Sequence, residues 1–113
     1  MLWTGSKGGR GVLVAGTDSP NVVELWDWTL GPAESHTSEP HSEGTRELLQ
    51  ILTGTVTIAV GNERFELDEG DALTFDGAVA HSYTNPAAQP ARFTLTVFEP
   101  GVGTAHRTET THA

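Results

Sequence analysis

Glycine and proline cut this chain into segments too short for a helical core. Its 113 residues include 13 glycines and 6 prolines, and no segment between them carries a helical apolar stripe longer than a turn or two. The segments carry alternation instead, the period of a strand. Strands are expected at residues 12–15, Val22–Leu30, Arg46–Thr53, 55–60, Glu63–Leu67, 72–75, 79–85 and Ala91–Glu99, with Gly61-Asn62 as a hairpin turn. Strands spaced at roughly eight to twelve residues, with turns between them, predict an all-β sandwich or jelly-roll barrel.

One domain is expected over residues 1–113, with the barrel at about 22–99. Residues 1–11 are glycine-rich and read as a loose arm anchored by Trp3; residues 31–40 read as a surface loop and 102–113 as a frayed tail. In the stretch Val22–Leu30, alternation puts Trp26, Trp28 and Leu30 on one face and Val23, Leu25 and Asp27 on the other. Apolar residues on both faces suit a strand packed on both sides, one of them against a partner subunit.

Charge and composition exclude several classes. Fifteen acidic against six basic residues give a formal charge of −9, which repels phosphate backbones, so direct nucleic-acid binding by this chain is not expected. There is no cysteine, hence no disulfide framework and no thiolate metal site. No apolar run approaches the roughly 18 residues of a membrane span, and the first residues lack a signal peptide's apolar region. A cytoplasmic protein is the default expectation.

The chemistry concentrates in two stretches. Residues 39–54, E-P-H-S-E-G-T-R-E-L-L-Q-I-L-T-G, hold Glu39, His41, Glu43 and Glu47 just before an apolar strand that closes on Gly54. Residues 70–85, G-D-A-L-T-F-D-G-A-V-A-H-S-Y-T-N, supply His81 after another strand. Residues two apart in a strand share a face, so His41 would align with Glu43, and His81 with Tyr83 and Asn85. Two imidazoles and two carboxylates converging across a barrel mouth would suit a single divalent transition metal: Fe, Mn, Ni, Cu or Zn. Without a metal, Glu43 and Glu47 would repel, and one would keep its proton or turn to solvent. The competing reading is that these are solvated groups near turns. His36, His106 and His112 read as surface residues. Trp26, Trp28, Phe65, Phe75, Phe93 and Phe98 read as core or dimer interface; Trp26, Trp28 and Phe75 are also, with Tyr83, the candidates to line a ligand pocket.

These residues resemble the two motifs of the cupin superfamily. Gly31, His41-Ser42-Glu43, Glu47 and Gly54 correspond to the first, with Glu47 to Gly54 at the family spacing; Gly70, Asp76, Ala78, His81 and Asn85 hold the places of the second. Glu43 stands where metal-binding cupins carry a second histidine, the gap from Gly31 to His41 is longer than the family's, and a proline and a glycine of the second motif are replaced. The resemblance implies a double-stranded β-helix with His41, Glu43, Glu47 and His81 as metal ligands. The segments E-P-H-S-E-G-T-R-E-L-L, L-D-E-G-D-A-L-T-F-D and H-S-Y-T-N are similar to the C-terminal sensor domain of Xre-type helix-turn-helix regulators. In that branch a DNA-binding domain precedes a cupin that binds an effector and dimerises, so an excised sensor domain or a stand-alone relative is expected.

Three functions follow as expectations. The first is a ligand-sensing cupin, a homodimer whose pocket takes a small-molecule effector with or without a metal. The second is a small metal-dependent enzyme, a dioxygenase or isomerase, acting on a small-molecule substrate. The third is a dimeric structural module with a dead pocket. Fold alone does not choose among them.

Overall fold

The computed structural model describes residues 2–102. They form ten strands: β1 (Leu2–Thr4), β2 (Arg10–Gly16), β3 (Val22–Leu30), β4 (Ser35–Ser38), β5 (Arg46–Thr53), β6 (Val56–Val60), β7 (Glu63–Leu67), β8 (Ala72–Asp76), β9 (His81–Thr84) and β10 (Ala91–Glu99). A six-stranded sheet runs β1-β2-β3-β10-β5-β8, and a four-stranded sheet runs β4-β9-β6-β7. All pairings are antiparallel. The all-β jelly-roll expectation holds, and β3, β5, β7 and β10 have the bounds read from alternation.

Two strands carry no such signal. β4 is Ser-His-Thr-Ser, inside the stretch expected to be loop; it is an edge strand paired only with β9, so no apolar face is required of it. β1 lies in the expected loose arm and pairs with β2 through Leu2↔Val12 and Trp3↔Gly11. The tail expected to fray lies outside the described residues beyond Val102.

Register arranges the inner face in layers. β10 lies between β3 and β5, so Phe93 faces Trp28 and Ile51, Leu95 faces Trp26 and Leu49, and Val97 faces Glu24 and Glu47. Trp28, Phe93, Leu95 and Val97 are completely buried. Apolar layers thus give way, at one end of the barrel, to a row that carries carboxylates. A slip of one residue would send this whole set to the opposite face. Val23 and Leu25 lie on the face opposite Trp26 and Trp28, as the alternation of β3 predicts, and in the single chain that face is exposed, at 37% and 41%.

The arm is held by a carboxylate. Glu34 is buried; its Oε2 accepts from the Lys7 amide at 3.0 Å and its Oε1 from the Gly31 amide at 2.9 Å. Burial pushes its carboxyl up, but the backbone amides of Gly31, Lys7 and Gly9 and the Lys7 charge outweigh this and hold it below the usual range. Glycine is required for the approach: a Cβ on Gly9 would lie 2.0 Å from Oε1, and one on Gly5 1.9 Å from Oε2. Trp3 then lies over Trp28 and His36, with ring centroids 5.1 and 4.9 Å away. Among the described residues, no helix is long and apolar enough to cross a membrane.

Removing this acceptor should free the arm. Glu34→Ala is expected to lower the unfolding free energy by about 1–3 kcal/mol and to speed hydrogen exchange at the Lys7 and Gly9 amides. Unchanged exchange at both would contradict the latch.

Candidate functional site

Three side chains from three segments meet at the carboxylate-bearing end. Glu47 is the second residue of β5 and points inward like Leu49 and Ile51. His81 opens β9, and Tyr83, two residues on, shares its inward face. His41 comes from the irregular segment before β5. That segment is tied to the turn after β8, because the His41 amide donates to the Gly77 carbonyl at 2.9 Å and the Gly77 amide to the Thr45 carbonyl at 2.8 Å. A side chain on Gly77 would strike Thr45 Cγ2 at 2.7 Å and approach Glu47 at 3.3 Å, so the turn closes down only with glycine there.

The distances define a triad. Glu47 Oε2 lies 3.1 Å from His41 Nε2 and 2.9 Å from His81 Nε2. Its other oxygen, Oε1, accepts from the Tyr83 hydroxyl at 2.5 Å. The side chains of Glu47 and His81 are fully buried, and His41, at 7%, is the member that reaches solvent. Burial pushes the Glu47 carboxyl up, but the His41 and His81 imidazoles and the Tyr83 hydroxyl outweigh it and hold the group below the usual range. Burial alone would lower His81; the Glu47 carboxylate and the Val79 carbonyl raise it instead. Tyr83, buried beside that negative charge, is pushed well above its ordinary value and stays a hydroxyl donor.

The donor set fits a metal ion. One ligand atom from each of His41, Glu47 and His81 lies within 4.8 Å of the others. His81 Nδ1 lies 2.7 Å from the Val79 carbonyl, which places the ring proton on Nδ1 and leaves Nε2 as the donor in the neutral ring. Glu47 Oε2 and His81 Nε2 are buried and neither has an aligned hydrogen-bond partner, although they are 2.9 Å apart. Two such atoms, buried side by side and unaligned, are compatible with ligation of a common cation. Two nitrogens and one carboxylate oxygen suit Fe, Mn, Ni, Cu or Zn rather than Mg or Ca.

The remaining candidates are placed differently. Glu43 is exposed and stands outside the triad. The expectation that it shares a face with His41 needs a strand, and residues 41–45 are instead a turn: the Thr45 amide donates to the Ser42 carbonyl at 3.2 Å, and Gly44 has φ 89°. Asn85 is buried, but its amide donates to the Leu30, Gly31 and Gln89 carbonyls, bracing loops below the site. Trp26, Trp28, Phe75 and Tyr83 are core residues at 6% exposure or less. Phe75 sets its ring edge-on to His81 at 5.1 Å between centroids.

His36, expected at the surface, is half-buried on β4, its ring parallel to that of Tyr83 at 6.0 Å and 4.7 Å from that of Trp28. His106 and His112 lie outside the described residues. Three buried carboxylates escaped the sequence reading: Glu24, Glu34 and Glu99. Alternation within β3 signals Glu24, which shares the inward face of Trp26 and Trp28 and accepts from the Trp26 indole at 3.2 Å.

Comparison with known proteins agrees with this architecture. The family model for a cupin domain, Cupin_2, matches residues 26–98. Among curated proteins none matches. The chain is similar to the cupin domain of an XRE family transcriptional regulator from Enterobacter cloacae, at 23% identity over 69% of this chain and 82% of that one, with a TM-score of 0.67. It is also similar to an HTH_3 family transcriptional regulator from Vibrio cholerae, at 26% identity over 69% of this chain, with a TM-score of 0.65; the match spans 43% of that regulator. A cupin-superfamily sugar phosphate isomerase from Silicibacter pomeroyi shares the fold at 13% identity over 80% of this chain and 59% of that one, with a TM-score of 0.64.

The triad sets a pH window for the metal-free protein. The raised His81 contributes stability that is complete below its unfolded value of 6.5 and is lost as pH rises through its folded one. The lowered Glu47 contributes stability present above its unfolded value of 4.5 and lost as pH falls through its folded one. The pair therefore stabilises most between 4.5 and 6.5, and Glu47→Gln is expected to lower the melting temperature inside that window and to flatten its decline on either side. An unaltered profile in the variant would contradict the pairing. Tyr83→Phe, which strips Oε1 of its buried donor, is expected to cost about 1–3 kcal/mol in chemical denaturation; a wild-type midpoint would contradict it.

Proposed function

The chain belongs to the cupin family, and we propose that it is a small-molecule-sensing cupin domain, the effector-binding part or a stand-alone relative of a transcriptional regulator. His41, Glu47 and His81 would hold one divalent transition metal. The observation that carries this reading is the preformed triad, closed off by packed aromatic side chains and reaching solvent at His41. Similarity to the cupin domain of one transcriptional regulator and to part of a second regulator supports the regulatory side. Tyr83 holds one oxygen of Glu47, so the other serves as the ligand atom. A metal bound there would supply Lewis-acid polarisation of a coordinated ligand oxygen. A cytoplasmic setting goes with this role.

A second reading is a metal-dependent enzyme, a dioxygenase or isomerase. Its support is the donor set itself: two histidines and one carboxylate leave coordination positions for substrate, the pattern of non-haem iron oxygenases. The cupin-superfamily isomerase is a relative in fold.

The homodimer is part of the proposal. On the outer face of the six-stranded sheet, Leu25 and Leu48 flank Thr96 in one row, exposed at 41% and 48%. A pair of such faces would bury this row. Leu25→Glu with Leu48→Glu is expected to convert a dimer to a monomer in light scattering without loss of the β spectrum; a wild-type monomer at micromolar concentration would contradict the dimer.

The functional test is a metabolite screen on the metal-loaded protein, read by thermal shift and by product analysis together. A ligand that raises the melting temperature without turnover, and whose effect is lost in a folded His81→Ala variant, is the expected result. Turnover lost in that variant would establish the enzyme reading instead. Binding that ignores His81→Ala would sink the site.

A further inference from the structure

The two sheets stay unpaired along one seam. β7 is an edge of the four-stranded sheet and β8 an edge of the six-stranded sheet. Beside these edges lies a cleft of about 490 Å³, a volume suited to a small molecule. Val60, Phe65, Phe75 and Val79 line it with apolar surface, and Glu63 and Asp76 add carboxylates. Both carboxylate residues are exposed, Phe65 is half-buried and Phe75 is buried, so the charge sits at the rim and the aromatic surface lies deeper.

The cleft is preformed. The Gly61 amide, in the β6–β7 turn, donates to the Ala80 carbonyl at 2.9 Å, tying that turn to the segment before β9. Gly61 has φ 57°, and a Cβ on it would come within 3.2 Å of Val79 Cγ1, so glycine lets the two walls meet closely. The inner wall is also the wall of the triad. Phe75 is the cross-strand partner of Glu47 and lies edge-on to the His81 ring. A ligand pressing on Phe75 therefore presses on the residues proposed to hold the metal.

We propose that this seam cleft is a second ligand site of the domain, beside the metal triad, and that it takes a small primary amine with an aromatic or apolar body. The inference rests on the ligand-sensing reading above and adds to it a site whose binding does not require His81. The ammonium meets Glu63 and Asp76 at the rim, and the body lies against Phe65 and Phe75, whose ring faces also attract a cation. Arg46 stands opposite Asp76 across the β5–β8 ladder, but among the described residues the two form no ion pair within 4.0 Å. Arg64 follows Glu63 on β7 and alternates to the other face. A chain of formal charge −9 draws cations and repels anions, so a carboxylate with the same apolar body is disfavoured.

The test is a titration of the full chain, metal-free and metal-loaded, followed by amide chemical shifts. The probes are phenethylamine, 2-phenylethanol and 3-phenylpropanoate. Saturable shifts at residues 60–65 and 74–79 are expected with the amine, with the alcohol weaker by roughly fivefold and the acid weaker still. Glu63→Gln with Asp76→Asn should bring the amine down to the alcohol's level. The Asp76 side chain accepts from the Ala78 amide at 2.8 Å, and Asp76→Asn retains an oxygen for that bond, so the turn should survive. Val79→Trp, filling the cleft, should abolish binding in a folded protein. Equal affinity for amine and alcohol would overturn the ligand class. Shifts clustered instead around Trp28 and Tyr83 would overturn the cleft while leaving a ligand-sensing barrel. No saturable shift with any probe, in a protein that still answers the metabolite screen, would likewise reject the cleft and spare the sensing reading.

Discussion

A carboxylate in the middle of a hydrophobic barrel needs partners, and Glu47 has them on every side. Its side chain is fully buried, a position that would be strongly destabilising for an isolated charge. Tyr83 satisfies one oxygen, and two imidazoles close on the other. The partners come from two separate parts of the chain. His81 and Tyr83 require β9 to lie across from β5, and His41 requires the loop before β5 to fold back over Gly77. The jelly-roll topology is what brings these residues together, and the apolar layers below them set the register that keeps Glu47 facing inward.

The aromatic core connects the site to the periphery. Tyr83 stacks with His36 and lies 5.8 Å from Trp28, and Trp3 from the N-terminal strand covers both His36 and Trp28. The arm itself is fastened by Glu34. On another flank, Phe75 separates His81 from the seam cleft. The group that holds Glu47 in place is thus in contact with surface elements on two sides, and a ligand or a displaced arm would act on the triad by moving packed rings.

Much of this was legible in the sequence where alternation was strict. β10 alternates apolar with polar through Phe93, Leu95 and Val97 against Arg92, Thr94 and Thr96, while β3 and β5 keep a continuous inward apolar set despite Leu25 and Leu48 on their outer faces, and the bounds of all three follow. Glu47 and His81 were legible from their places in the two polar stretches and motifs, and the structure sets each in phase with the buried face of its strand. His36 was not, because β4 is a polar edge strand without an apolar face. Glu34 was hidden in a loop, its role set by amides that no pattern reveals. Glu43 was expected beside His41 because two-residue spacing aligns side chains in a strand, and the turn at Gly44 removes that premise. Residues 1–11 read as a loose arm because glycines there suggest freedom, whereas Gly5 and Gly9 are needed so that the chain can close on a carboxylate.

The central claim is that His41, Glu47 and His81, without Glu43, form a metal site. Elemental analysis after anaerobic incubation with Fe(II), Mn(II), Ni(II) or Zn(II), followed by desalting, tests it most directly in four proteins: wild type, Glu47→Gln, His81→Ala and Glu43→Gln. The expected result is about one transition metal per chain in wild type and in Glu43→Gln, and none retained by the two triad variants. A wild-type protein that retains no metal, or a Glu43→Gln variant that loses it, would contradict the three-residue site.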